Sequence, residues 1–180
     1  IYNTLLVAAL TLSAWTAGYV LRRLGIGFFP ALLGGAIYSF APFRWDQASH
    51  LQILWAPWVP LVLWSFDRLL ERPSARRVAP FLALYAFHLL GGSYLAYMIH
   101  FPLAAILFVR WRAQRAESSP TSPRRPRPAL LVAAALCAAM MAAIFFPYLR
   151  AARSQGFERK TRHIREFAAR PASFVTPSAF

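Results

Sequence analysis

Long uncharged apolar runs alternate along the chain with short clusters of arginine. Residues 1–21 hold no charged side chain, and at about 1.5 Å of rise per residue a helix of that length crosses a hydrocarbon core of about 30 Å. Arg22 and Arg23 follow at once, and basic residues at the end of a span mark the cytoplasmic side, so this first span enters from outside. Residues 24–43 return the chain outward. Their Gly25, Gly27, Pro30, Gly34, Gly35 and Pro42 predict a broken or kinked helix packed closely on its neighbours. Residues 51–66 form a shorter run in which Trp55 and Trp58 flank Pro57, a pattern suited to an irregular helix start at the outer interface. This run ends inside, at the charged stretch 67–77.

Residues 78–109 are long for one crossing and slightly short for two. Gly91, Gly92, Ser93 and Tyr94 near their middle predict a tight outer turn. A hairpin puts residues 110–127 inside, sends 129–146 outward and leaves the tail outside, whereas a single tilted helix reverses everything after it. The hairpin places twelve Arg and Lys inside and eight outside, and the single helix thirteen and seven, so charge does not separate them. Length and the Gly-Gly break favour the hairpin. Pro120, Pro123, Pro126 and Pro128, with Ser and Arg between them, predict a flexible solvated linker. Residues 150–170 are basic and interrupted by Phe157, Ile164 and Phe167, as in a short helix lying on a membrane surface. The predicted fold is all-α: a polytopic transmembrane helical bundle of about five or six spans with broken helices and one basic cytoplasmic loop. Residues 1–149 form its membrane region and 150–180 a basic extracytoplasmic segment.

Composition sharpens this picture. Twenty basic side chains against six acidic ones are the balance of a nucleic-acid binder, but 58% hydrophobic residues, 14% charged residues and a mean hydropathy of +0.43 exclude a basic soluble domain. Cys137 has no partner for a disulfide. The chain begins at Ile1 and enters an apolar segment without the positive flank of a signal peptide, the expectation for a fragment of a longer protein.

Candidate chemistry concentrates in residues 39–52, SFAPFRWDQASHLQ, which carry Arg44, Asp46, Gln47, His50 and Gln52 between two apolar spans. Asp46 and His50 are four apart and share one face of a helical turn, where a carboxylate orients an imidazole or both reach a metal or a phosphate-bound sugar. The guanidinium fork of Arg44 suits a phosphate. The competing reading is an interfacial loop in which Asp46 pairs with Arg44 and His50 faces water. Two ligand-type residues do not make a metal site. His88 and His100 lie in apolar segments and are expected neutral, bonded to neighbouring helices, as are Tyr85, Tyr94 and Tyr97. Asp67, Arg68, Glu71 and Arg72 are spaced to pair at a helix end. Arg150, Arg153, Arg159, Lys160, Arg162, Arg165 and Arg170 of the tail attract lipid phosphates. Nucleotide-binding glycine loops, nucleophile elbows, paired-Cys motifs and HExxH helices do not occur.

Three stretches, YNTLLVAALTLSAWTAGYVLRRLG, ALLGGAIYSFAPFRWDQASHLQILWAPWVPLVLWSFDRLLER and GGSYLAYMIHFPLAAILF, span residues 2–108. Their order resembles the multi-spanning bacterial glycosyltransferases of the C-type fold, including the family 39 mannosyltransferase-like proteins, in pattern rather than by a rigid signature. The resemblance implies transfer of a sugar from a polyprenyl-phosphate carrier to an acceptor at the outer face of the bacterial cytoplasmic membrane. Membrane lipids and a lipid-linked sugar donor are the implied partners, without nucleic acid, and a divalent metal is an implied cofactor. The family's acidic catalytic residue lies in a first outer loop that would precede Ile1, so the catalytic residue is not assigned within these 180 residues. His50 is carried over as a substrate-binding residue, followed by Asp46, Arg44 and Gln47. Two other readings stay open: a transporter or lipid flippase working through His88 and His100, and a non-catalytic membrane scaffold.

Overall fold

A computed structural model describes residues 1–42, 44, 50–117 and 128–156. They form helices α1 (Tyr2–Arg23), α2 (Phe28–Phe40), α3 (Leu51–Leu54), α4 (Trp58–Glu71), α5 (Ala75–Leu90), α6 (Ser93–Met98), α7 (His100–Glu117) and α8 (Pro128–Gln155). No strand occurs among the described residues, and the all-α reading holds. Three helical stretches are long and apolar enough to cross a membrane: Tyr2–Arg23, Tyr94–Ala113 and Pro128–Gln155. The chain is a membrane protein. Helix α2 is apolar but shorter, and α4 and α5, with 14 and 16 residues, rise only about 21 and 24 Å.

The chain forms two compact units, Ile1–Phe145 and Phe146–Phe180. In the first, α1 and α2 meet through small residues. Gly35 lies so close to α1 that a Cβ there would overlap the Ala14 carbonyl oxygen, and one at Gly18 would stand 3.3 Å from that of Ala31. Small residues let two backbones approach where lipid offers no hydrophobic drive to bring helices together. Pro30 sits in the first turn of α2, where its missing N–H costs nothing. The other half of this unit is built on α4 and α5. Val78, Phe81, Tyr85 and Leu89 recur at helical spacing on one face of α5 and pack with Val62, Leu69, Ile99, Leu103 and Ala133. In the second unit, the described residues end at Gly156, whose φ of 58° is the left-handed conformation that closes a helix.

Two expectations about continuity resolve in the backbone. The run 51–66 is divided, with Trp55 to Pro57 separating α3 from α4. Residues 78–109 are a hairpin: Gly92, with φ of 152°, turns the chain, and the Tyr85 hydroxyl meets His100 Nε2 at 2.9 Å. On one continuous helix those residues would lie about 22 Å apart.

The ends of several helices gather at one basic end. The Arg23 guanidinium stands 5.7 Å from the Trp64 ring, and Arg110 of α7 reaches Asp67 and Glu71 at the foot of α4. Arg77 at the start of α5 donates to the Arg68 carbonyl oxygen.

Candidate functional site

Helix α2 stops after thirteen residues, and the chain that follows returns Arg44 against α1. One Arg44 Nη2 donates to Ser13 Oγ at 3.1 Å and to the carbonyl oxygen of Leu54, the last residue of α3. Ser13 stands halfway along α1, about 16 Å of helix from Tyr2 and about 15 Å from Arg23. Sequence reading put Arg44 in an outer loop. Its guanidinium bonds to Ser13, midway along α1, and the residue is only 8% exposed.

The described groups around it are neutral. The Tyr38 ring faces the guanidinium with its centroid at 5.3 Å, and the Tyr38 hydroxyl donates to the Ala56 carbonyl oxygen at 2.9 Å. Ser39 Oγ donates to the Leu10 carbonyl oxygen at 2.6 Å, and Thr16 Oγ1 to that of Ser13 at 3.2 Å. A polar seam therefore runs between α1 and α2 and is closed by the carbonyls of residues 54 and 56. Arg44 Nε is buried and has no hydrogen-bond partner among the described residues. A cation removed from water is costly unless an opposite charge meets it, and a buried cation at membrane depth is the residue type that marks an anion or ion pathway. The same α3 segment lines an apolar groove of about 550 Å³ with Leu51 and Trp55, joined by Leu5, Trp58, Phe87 and Leu90.

His50 is exposed at the start of α3, where its carbonyl oxygen accepts from the Ile53 amide at 2.8 Å. About one helical turn of α3 separates it from the Leu54 carbonyl that holds Arg44. Asp46 and Gln47 lie outside the described residues, as do the linker 118–127 and the tail beyond residue 156. Gln52 is in α3. No three His, Cys, Asp or Glu side chains gather among the described residues, so these do not supply the ligand set a divalent metal needs.

A second polar group lies between α5, α6 and α7. His100 Nδ1 donates to the Tyr97 carbonyl oxygen at 3.1 Å, which leaves Nε2 to accept the Tyr85 hydroxyl. His88 Nε2 donates to the Leu95 carbonyl oxygen at 3.0 Å, and its Nδ1 is buried without a partner among the described residues. Both imidazoles are bonded to neighbouring backbone carbonyls. Tyr85 and His100 edge a cavity of about 340 Å³ with Phe66, Phe81, Leu103 and Cys137.

Sequence reasoning missed Ser13, Tyr38 and Ser39 as the cradle of Arg44. Ser13 and Thr16 one turn apart in an otherwise apolar helix were a signal that α1 turns a polar stripe inward. It also missed Arg110 as the partner of Asp67 and Glu71; Arg77, rather than Arg72, joins Glu71 at 3.9 Å.

A family model described as a domain of unknown function (DUF6311) matches residues 3–180. No curated protein and no solved structure matches the chain.

Proposed function

We propose, from the premise that the chain belongs to the DUF6311 family, that it is membrane machinery of a glycosyltransferase that takes a sugar from a polyprenyl-phosphate donor at the outer face of the bacterial cytoplasmic membrane. The observation that carries this reading is Arg44: a buried guanidinium held only by neutral groups among the described residues, with Nε left over. A phosphate supplies the opposite charge that the described residues do not offer Arg44, and the guanidinium fork suits its oxygens. The apolar groove beside α3 suits the first units of that chain. The three stretches that resemble C-type-fold glycosyltransferases contain Ser13, Tyr38, Ser39, Arg44, His50 and Leu54, so resemblance and geometry converge on one part of the chain.

In the transfer, the bond from the sugar's anomeric carbon to the phosphate oxygen breaks while a bond to the acceptor oxygen forms. Arg44 holds the phosphate and stabilises the negative charge it gains on leaving. A carboxylate takes the acceptor's proton. His50, exposed at the start of α3, is the proposed acceptor-side contact, with Asp46 and Gln47 between it and Arg44 in the chain.

The test uses the purified full-length protein in lipid nanodiscs with polyprenyl phosphate and the matching neutral polyprenol as probes. Polyprenyl phosphate is expected to bind at least about tenfold more tightly than the alcohol, as one buried charge-assisted contact supplies about 1.5–3 kcal/mol. Arg44→Gln is expected to remove that preference and Arg44→Lys to keep part of it. Equal binding of the two lipids by the unaltered protein sinks the reading without recourse to any variant.

A further inference from the structure

A second groove of about 480 Å³ runs between α1, α2, α4 and α7, from Leu24 and Asp67 at the basic end to Tyr38, whose ring faces Arg44. Its walls are apolar, with Val20, Leu21, Leu63, Trp64 and Ile106 among them, and exposed Leu24 also lines it. Asp67 is the one acidic side chain in the lining, and both its oxygens are taken by Arg110, at 2.6 Å from Nε and 2.5 Å from Nη2. The acid therefore brings no free negative charge.

The cations at this end are arranged differently. Arg23 lies over the Trp64 ring at 5.7 Å and the Tyr19 ring at 6.0 Å, and Trp64 is itself a wall of the groove. A guanidinium over an aromatic face can still donate through its N–H groups at the ring edge. Arg22 is tied back by a 3.0 Å bond from Nη1 to the Ile26 carbonyl oxygen and adds to the local positive potential. Among the described residues the acidic groups of this end are bound to Arg68, Arg77 and Arg110, and neither Arg22 nor Arg23 has an acidic partner.

We propose that this groove holds an acyl chain of an anionic phospholipid of the inner leaflet, with its phosphate on the Arg23 guanidinium. An apolar channel next to a membrane takes a lipid chain of any class, so the discriminating element is charge. Arg23 offers donors beside the channel in a place where the described carboxylates, Asp67 and Glu71, are already paired. A zwitterionic headgroup would bring its own cation into the same positive field.

The experiment titrates the full-length protein in detergent with phosphatidylglycerol and, separately, phosphatidylcholine, and counts bound lipids by native mass spectrometry. Phosphatidylglycerol is expected to be preferred by about fivefold, the change that one arginine's attraction at a membrane surface corresponds to. Arg23→Gln is expected to erase the preference. Arg112→Gln removes a cation stacked on Phe108 elsewhere on α7 and is expected to leave it intact. Absence of a preference, or equal loss in both variants, overturns the site and leaves only diffuse surface charge. Should Arg23→Gln fail to fold, brominated acyl chains decide the matter. Brominated phosphatidylglycerol is expected to quench tryptophan fluorescence beyond brominated phosphatidylcholine, and Trp64→Phe to abolish the excess. An excess that survives Trp64→Phe puts the lipid elsewhere. Tyr38 lines this groove and also faces Arg44, so the two readings are told apart by variant and probe: Arg23→Gln with phosphatidylglycerol here, Arg44→Gln with polyprenyl phosphate there.

Discussion

Arg110 and Arg44 each bridge several acceptors, but the acceptors differ in charge and the two residues differ in their access to water. Arg110 grips Asp67 through both oxygens and Glu71 through a third bond of 2.9 Å, and all three side chains keep about a quarter to a third of their surface exposed. Arg44 is 8% exposed and is met by a hydroxyl, a carbonyl and an aromatic ring. Coulomb attraction and partial hydration both favour the first arrangement, while the second gives up hydration without gaining an opposite charge among the described residues. The comparison separates a closed ion network, whose job is finished once α4, α5 and α7 are joined, from a cation that meets no opposite charge among the described residues. Incomplete charges in the interior of a membrane protein are the ones to expect at a binding site.

The largest effect should come from disturbing the frame of one region while sparing the other. A methyl group at Gly35 overlaps the Ala14 carbonyl oxygen and approaches the Gly18 amide nitrogen at 3.1 Å, both of them backbone atoms that cannot swing aside. Gly35→Ala is expected to force α1 from α2 and destabilise the protein by about 2–3 kcal/mol, in the range of overpacked interiors. Ser13 and the Leu10 carbonyl move with α1 while Tyr38, Ser39 and the chain to Arg44 follow α2, so polyprenyl-phosphate binding should fall at least tenfold. Thermal denaturation and lipid binding on the same preparation check this, and full retention of binding would break the link between the α1 and α2 contact and the Arg44 site.

A middle-sized effect is expected at the closed network. Arg110→Met leaves Asp67 and Glu71 half-buried without their shared partner, at a cost of about 1–2 kcal/mol, between the values for exposed and buried pairs. Because the pair is partly exposed, molar salt should shrink the difference between variant and unaltered protein. Polyprenyl-phosphate binding should not change. A variant as stable as the parent at low salt would show that the network does not hold the three helices together.

The hydrophobic pattern revealed more of the fold than of the site. Uncharged runs ending in Arg22 and Arg23 or divided by Gly91 and Gly92 record where the chain crosses and turns, and the helices follow them. Lengths were less legible: the helix after Gly27 ends at Phe40, and Trp55 to Pro57 divide the run 51–66, neither of which hydropathy alone marks. At the candidate site, Arg44 and His50 were visible as polar residues between spans, but the sequence offered no reason to send one inward and the other outward. That division depends on Ser13, which lies 31 positions away from Arg44 and becomes a partner only through the register of two helices locked by Gly18, Gly34 and Gly35. Asp67 and Arg110, 43 positions apart, were likewise each readable alone and unreadable as a pair.

The smallest change in stability is expected where the functional consequence is greatest. Arg44→Met keeps much of the side chain's length and removes a charge that neutral neighbours only partly compensate. Replacing a buried ion by an apolar group of similar volume is often neutral or favourable. Against that stand the lost donors to Ser13 Oγ and the Leu54 carbonyl and the lost contact with the Tyr38 ring. These terms nearly cancel, so unfolding of Arg44→Met should lie within about 1 kcal/mol of the unaltered protein, while its preference for polyprenyl phosphate over polyprenol disappears. Denaturant titrations of Arg44→Met and Arg110→Met side by side make the contrast measurable. If Arg44→Met proved the more damaging of the two, Arg44 would be a structural cation like Arg110, and the asymmetry between the two ends would lose its functional meaning.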